Sequence, residues 1–310
     1  MKKIISMILI ILLVGLFTGC NISVKAVHSE KATSKEENKI SLKIYTTTNF
    51  LASIVKDIVK DRDNVYYMFN NYDQVFNFEF SKDSINNISR KDLFIYTGST
   101  FEPWVNDFVD KLSKSKVGVI NSSRGVKLTS YTKELKYKDD VLKENPYYWM
   151  NIDNYKIMLL NIKNAIEEKD PQSREFYEKN FNDKLQELDK YQKRLKEIID
   201  KYDDYTFLTD NDELDYFIKY IGNKSIKLDN TKIAVTSEEK DEVDKLNKKI
   251  SETKKIVFLY TDDIELISNQ SILLKNKIPA IQINVFNNKY SYEELMDKNI
   301  NNLMSLNTED

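Results

Sequence analysis

Hydrophobic residues in the first part of the chain alternate between two spacings. Short runs rich in β-branched and aromatic residues predict strands, and segments with an apolar residue every third or fourth position predict helices. The predicted strands cover residues 40–47, 64–69, 92–98 and 116–121, and the predicted helices cover 51–59, 81–90 and 101–115. Strands that alternate with helices over short connections are typical of a parallel sheet. The pattern therefore predicts an N-terminal α/β lobe over residues 40–152.

The middle of the chain is helical throughout. A first helix is predicted over residues 155–168, and a second begins where Asp170 supplies a cap and Pro171 fits the first turn. The second helix runs to Tyr202 and would be roughly 48 Å long at ~1.5 Å per residue. Its near-heptad apolar stripe lasts barely four heptads and lacks the charge pairing of a coiled-coil dimer. We interpret residues 153–203 as linking helices that form an intramolecular strut.

Alternation resumes in the last third of the chain. Strands are predicted over 206–209, 225–228, 232–235, 255–260 and 279–285, and helices over 213–221, 238–253, 264–275 and 292–306. These segments predict a second α/β lobe over residues 204–310. The predicted fold class is thus α/β, with two parallel-sheet lobes joined by a long rigid α-helix. Clefts between lobes are common ligand sites, so the ligand cleft is expected between the two lobes.

The N-terminus has the pattern of an export signal. Lys2 and Lys3 precede an apolar stretch over residues 4–17, and Thr18 and Gly19 lead to Cys20, the only cysteine of the chain. This pattern predicts a lipoprotein signal over residues 1–19, with lipid attached to the Cys20 sulfur. An ordinary signal peptide and an uncleaved anchor remain the alternatives. The polar residues 20–39 are predicted to be a flexible tether.

A lipid on Cys20 would anchor the protein to the outer face of the bacterial cell membrane, because several acyl chains hold a protein stably at a bilayer. The predicted location is therefore extracytoplasmic. The chain has 47 basic and 49 acidic residues and a net charge of -2, without the basic surface that nucleic-acid binding requires. We expect no nucleic-acid partner, and we expect a monomer.

Histidine occurs once, as His28 in the predicted tether. Imidazole is the commonest general base near neutral pH and the commonest metal ligand. The sequence also lacks a nucleophile motif and a glycine-rich phosphate loop. These features argue against an enzyme and against a histidine-rich metal site.

Several segments resemble one family of binding proteins. The matching stretches are Lys91–Gly98 (KDLFIYTG), Phe101–Val105 (FEPWV), Tyr148–Asn151 (YWMN), the opening of the long helix from Lys169, and Leu214–Phe217 (LDYF). Together they are similar to the zinc- and manganese-binding solute receptors of bacterial ABC importers. The resemblance implies two lobes joined by a long helix and an ABC permease as partner. It also implies a divalent cation, zinc or manganese, as cargo, provided that the metal site still binds; no other cofactor is expected.

The resemblance also places the family's four metal ligands, and each position carries a substituted residue. The histidine positions fall on Phe76 and Tyr147, the third falls on Asn211, and the fourth falls on Asn284 or Asn287. Phe has no lone pair, neutral Asn offers only a carbonyl oxygen, and Tyr binds metal strongly only when it loses a proton with a pKa of roughly 10. We therefore expect a degenerate metal site.

Three carboxylates near these positions are candidate replacement ligands. Glu79, Asp210 and Asp212 could supply oxygen atoms to a hard cation such as manganese or calcium. Two other functions stay open. The same scaffold could bind a small organic molecule against Phe76, Tyr147 and Trp149, or it could be a surface adhesion or interaction lipoprotein with no transport role.

Overall fold

A four-stranded parallel sheet lies nearest the N-terminus among the described residues. The structure, a computed structural model, describes residues 41–228, 237–285 and 290–306. The strands are β1 (Lys43–Thr48), β2 (Asn64–Phe69), β3 (Leu93–Tyr96) and β4 (Gly118–Asn121). They lie in the order β2-β1-β3-β4, and every neighbouring pair is parallel. The predicted parallel sheet is confirmed, and both of its faces are covered: Ile44 and Phe94 point into two different apolar cores.

Helices cover both faces of this sheet. They are α1 (Asn49–Val59), α2 (Tyr72–Phe76), α3 (Lys82–Ile88) and α4 (Val105–Leu112). Helix α1 begins where the Thr48 side chain accepts a hydrogen bond from the Leu51 amide, and α3 begins at a capping box between Ser81 and Ser84. The cap at Ser81 was predicted. Helix α2 was not, because its five residues are too short to show a helical period.

A hairpin that the sequence did not predict follows the first sheet. It consists of the antiparallel strands β5 (Ser130–Tyr137) and β6 (Asp140–Glu144). Charged residues interrupt its alternation, and Leu142 is its buried position in β6. The hairpin therefore lacks the apolar face from which a strand is usually recognised.

Two helices link the sheets, as predicted. Helix α5 (Ile152–Lys169) is followed by a short 3₁₀ turn (Pro171–Ser173) and by α6 (Arg174–Lys201), which has 28 residues. The prediction began the long helix at Pro171, but the proline forms the 3₁₀ turn and the α-helix starts three residues later. Leu188, Leu195 and Ile198 of α6 lie in the same core as residues of both sheets. Helix α6 is therefore an intramolecular strut.

The second parallel sheet follows the linking helices. Its strands are β7 (Thr206–Thr209), β8 (Lys224–Lys227), β9 (Ile256–Tyr260) and β10 (Ala280–Gln282), in the order β10-β9-β7-β8. Its helices are α7 (Asp215–Ile221), α8 (Ser237–Glu252), α9 (Asp263–Asn276) and α10 (Tyr292–Ser305). The predicted strand over residues 232–235 lies outside the described residues. From Ser41 onward the described chain forms one compact unit, and the lobe boundaries at residues 152 and 203 stay predictions.

The N-terminal predictions also lie outside the described part of the chain. They are the export signal over residues 1–19, lipidation at Cys20 and the tether over residues 20–39. Within residues 41–228, 237–285 and 290–306, no helix has the length and apolar character needed to cross a bilayer.

Candidate functional site

The candidate site lies where segments from both sheets and from the hairpin meet. The loop after β7 carries Asn211 and Glu213, and the loop after β9 carries Thr261. Tyr131 comes from the hairpin, and Tyr147 precedes α5. In open α/β sheets, ligands bind beyond the carboxyl ends of the parallel strands. These residues lie together where the two-lobed architecture predicts a ligand cleft, and we call this group of residues the cleft.

Glu213 is the central acid of this cleft. Its carboxylate lies beside the Tyr147 hydroxyl. Burial raises the pKa of Glu213 to about 7, and the hydrogen bond with Tyr147 only partly opposes this shift. The nearby carboxylates of Glu265 and Asp262 raise the pKa further. The Glu213 carboxyl group therefore keeps its proton to a higher pH than an exposed glutamate does.

Three tyrosines face this acid. Tyr72, Tyr131 and Tyr147 are mutual neighbours, and each is also close to Glu213. Burial raises the pKa of all three hydroxyls above the ordinary value of 10. The hydroxyls therefore stay protonated at physiological pH. A protonated phenol is a hydrogen-bonding group and a poor metal ligand.

Asn211 uses its side chain to hold the cleft loop in place. Its Oδ1 accepts a hydrogen bond of 2.9 Å from the Glu213 amide. Its Nδ2 donates to the Thr261 hydroxyl over 3.2 Å and to the Glu265 carboxylate. The family position on Asn211 thus lies in the cleft, but its carbonyl oxygen is already engaged by the backbone.

The other family positions have different surroundings. Phe76 packs against Tyr72 and Tyr137, with 5.6 Å between ring centroids in each pair. The Asn284 amide donates a 2.7 Å hydrogen bond to the Asn299 side chain, which is fully buried. Asn287 lies outside the described residues. Neither Phe76 nor Asn284 contacts Glu213 through a described hydrogen bond.

The three candidate replacement ligands have different surroundings. Glu79 is exposed and borders a groove beside Trp104. Asp210 accepts a hydrogen bond of 3.1 Å from Asn269, and Asp212 forms an ion pair of 2.5 Å with Lys227. To share one cation these carboxylates would have to leave their present positions. Asp212 would also lose its ion pair with Lys227, so moving it would cost the most free energy.

The residues present do not fit the ligand set that zinc prefers. Across the ranges that the structure describes, no three side chains of His, Cys, Asp or Glu converge where they could hold a metal ion. Trp149, which the organic-ligand hypothesis includes, is 1% exposed and packs against Phe50, Phe101 and Tyr147 as part of the core. What the cleft offers is phenol hydroxyls, amides and carboxyl groups with raised pKa values.

Sequence reasoning missed three of the residues that define this site. Tyr72, Tyr131 and Glu213 were not among the candidates, although Glu213 directly precedes the family-like segment Leu214–Phe217. The one sequence signal that could have identified Glu213 is its position shortly after a buried parallel strand. The two tyrosines belong to the short helix and the hairpin that the pattern did not predict.

The fold and the cleft define a class of protein. Two four-stranded parallel sheets joined through a long helix, with a cleft at the strand ends, form a two-lobed solute-binding fold. The chain belongs to the ZnuA family, described as "Zinc-uptake complex component A periplasmic", whose model matches residues 44–305.

Individual relatives agree with this assignment. The chain is 30% identical over 172 residues to the manganese ABC transporter substrate-binding lipoprotein PsaA of Streptococcus pneumoniae, covering 53% of this chain and 54% of that protein. It is 26% identical over 226 residues to the high-affinity zinc uptake system protein ZnuA of Bacillus subtilis, covering 69% and 70% of the two chains. The chain thus spans only about half of the length of the first relative.

A solved structure shares the fold. The metal-dependent lipoprotein YcdH of Bacillus subtilis superposes with a TM-score of 0.68 at 19% identity, over 84% of this chain and 97% of that chain. The predicted fold class and family resemblance are confirmed.

Proposed function

We propose that this protein is the extracytoplasmic solute-binding lipoprotein of a metal-type ABC importer, and that its own metal site is degenerate. Its partners would be the importer's permease and, through lipid on Cys20, the outer face of the cell membrane. The observation that carries the receptor role is the family match over residues 44–305. Relatives named as manganese and zinc transport components support the cargo class.

The chemistry of the cleft supports the second half of the proposal. Zinc sites use deprotonated thiolates, neutral imidazoles or carboxylates in tetrahedral arrangement. Here Tyr147 and Asn211 stand at two ligand positions, and both side chains are engaged by protein groups. A hard cation held by oxygen atoms would need the Glu213 and Glu265 carboxylates in their charged forms, whereas burial raises both pKa values.

Metal titration of the purified lipoprotein tests the degenerate site. Elemental analysis would give the metal content, and unfolding would be followed with Zn²⁺, Mn²⁺ and Ca²⁺ at roughly 100 μM. A ligand at 100 times its Kd stabilises the folded state by about 2.7 kcal/mol. We expect no bound zinc and less than about 1 kcal/mol of stabilisation by any of the three ions. Stoichiometric zinc with a larger stabilisation would show an intact site.

A variant in which the family's metal ligands are restored provides the matched control. The triple variant Phe76→His, Tyr147→His, Asn211→Glu returns the family's residue types to the three ligand positions that the resemblance places on a single residue each. We expect this variant to bind zinc more tightly than the wild type. Equal zinc binding by both proteins would show that these positions do not form the family site.

Cell experiments test the receptor role separately. In cells that carry the cognate importer, the wild-type chain and Cys20→Ala are compared for recovery in the membrane fraction and for co-purification with the permease. We expect the wild type to be recovered with both, and we expect Cys20→Ala to be released from the membrane. A wild-type chain that does not co-purify with the permease would remove the receptor role.

A further inference from the structure

The hairpin does more than connect the first sheet to the linking helices. Residues 129–145, here called the strap, leave the first sheet and return to it beside the cleft. At the returning end, the Thr100 hydroxyl donates to the Glu144 carbonyl over 2.8 Å, and the Ser99 hydroxyl donates to the Asn145 carbonyl over 3.2 Å. The tip is also fixed, since the Tyr137 ring packs edge-on against Phe76. The strap is thus attached to the N-terminal half at its tip and at its returning end.

The middle of the strap is instead bound to the loop after β7, in the C-terminal half. The Thr132 amide donates a 2.8 Å hydrogen bond to the Asp212 carboxylate, and the Thr132 hydroxyl donates to the other oxygen of the same group. The Asn145 side chain donates to the Asp212 carbonyl over 2.6 Å. One residue of the C-terminal half therefore accepts three hydrogen bonds from the strap.

A second residue strengthens the same attachment. The Tyr216 hydroxyl, at the start of α7, accepts from the Thr129 amide over 2.8 Å and donates to the Asn145 carbonyl over 3.0 Å. Tyr216 is buried, and its hydroxyl joins both ends of the strap.

Lys227 explains how Asp212 can act as an acceptor in a buried position. Asp212 is 5% exposed, and the Lys227 ammonium lies 2.5 Å from its carboxylate. The same ammonium lies 2.5 Å from Asp215. A buried carboxylate is stable when it is paired and its oxygens are hydrogen-bonded. The latch, meaning Asp212, Tyr216 and Lys227, is therefore a built site and not a chance surface contact.

The strap also places a side chain in the cleft. Tyr131, next to Thr132, lies close to Tyr72, Tyr147 and Glu213. Tyr131 therefore belongs to the group of side chains that surrounds Glu213. We propose that the strap is a gate: the latch holds Tyr131 in the cleft, and its release opens the cleft to solvent and cargo. The gate follows from contacts between the two halves and does not depend on which cargo is bound.

Amide hydrogen exchange of the full chain tests the gate without a ligand. The variant Asp212→Asn places an amide where Thr132 and Lys227 need a charged acceptor. We expect exchange in residues 129–137 to accelerate by about tenfold or more, because the local opening becomes easier. The Tyr147 and Glu213 amides, which donate to the side chains of Asn145 and Asn211, should accelerate with them.

Asp215→Asn is the matched control. Asp215 shares Lys227 with Asp212 but makes no described hydrogen bond to the strap. We expect it to leave exchange in the strap within about threefold of the wild type. Equal acceleration by both variants would mean that the ion pairs of Lys227, and not the hydrogen bonds from the strap to Asp212, protect the strap, and would overturn the gate.

If Asp212→Asn destabilises the whole fold, Thr132→Val tests whether the strap controls the cleft. It removes only the hydroxyl donor and leaves every charge in place, and Thr132→Ser restores that donor. We expect faster exchange of the strap and of the Tyr147 and Glu213 amides in Thr132→Val, and wild-type rates in Thr132→Ser. Wild-type protection of the cleft amides in Thr132→Val would show that the strap does not control the cleft.

Discussion

The rings of Tyr155 and Tyr292 stack face to face, with 3.6 Å between their centroids and an angle of 5° between their planes. Tyr155 belongs to the first linking helix, and Tyr292 begins the last helix of the chain. Both side chains are at most 2% exposed, and the Tyr292 hydroxyl donates to the Trp149 carbonyl over 3.1 Å. This pair therefore joins the C-terminal helix to the segment that carries Tyr147.

Truncating this pair should destabilise the fold strongly. We expect Tyr292→Ala to lower the free energy of unfolding by about 3–5 kcal/mol, because a large buried ring is replaced by a cavity. Tyr292→Phe keeps the ring and loses only the hydrogen bond, so it should cost about 1 kcal/mol. Urea unfolding of both variants measures the difference. Similar losses for the two variants would assign the stability to the hydroxyl and not to the stacked ring.

Lys184 also connects the two halves, through ion pairs. It is 6% exposed on the long helix, and it pairs with Asp57 of α1 over 2.9 Å and with Glu293 of α10. We expect Lys184→Met to cost about 3–5 kcal/mol, because two carboxylates lose their buried cation.

Lys179 on the same helix provides the control for Lys184. It pairs with Asp183 at the surface, and its side chain is 72% exposed. Lys179→Met should change stability by less than about 0.5 kcal/mol, as exposed helical pairs do. Thermal unfolding of the two variants measures the contrast, and equal effects would contradict a special role for Lys184.

Glu213 should make stability depend on pH. Its pKa rises from 4.5 to about 7 in the folded state. The folded state therefore holds a proton that the unfolded state has already released between these two values. As pH rises from about 4.5 to 7, stability should fall by about 1–3 kcal/mol and then level off.

The variant Glu213→Gln isolates this contribution. The neutral amide does not titrate, so the difference in unfolding free energy between variant and wild type should grow in favour of the variant as pH rises from 4.5 to 7. Urea unfolding at pH 4.5, 6 and 8 measures it. A difference that is constant over this range would mean that the pKa of Glu213 is close to its ordinary value.

Glu102 fixes the loop after β3. The side chain is 1% exposed, and it accepts hydrogen bonds from the Thr97 amide over 2.8 Å and from the Gly98 amide over 3.0 Å. In Glu102→Gln, rotation of the new amide leaves at least one of these donors facing an N–H group, so we expect a loss of about 1–3 kcal/mol. The exposed Glu79 is the control, since Glu79→Gln should be neutral within about 0.5 kcal/mol. Chemical unfolding of both variants checks the ranking.

The elements with a buried apolar face were predictable from the sequence. Strand β2 was predicted with its observed bounds. The long helix was predicted to start at Pro171, where the structure has a 3₁₀ turn instead. The same reasoning missed α2 and the β5–β6 hairpin. One is shorter than two helical turns, and the other has charged residues scattered along both strands.

The sequence by itself determined the two α/β halves, the strut between them and the family, and it predicted Tyr147 and Asn211 as site residues. It could do so because periodic apolar residues and short motifs are local properties of the chain. Only the tertiary structure brought Tyr72, Tyr131 and Glu213 together and set the strap against Asp212. These residues are far apart in the sequence, and their pKa values and hydrogen bonds arise from burial and proximity, which no local pattern encodes.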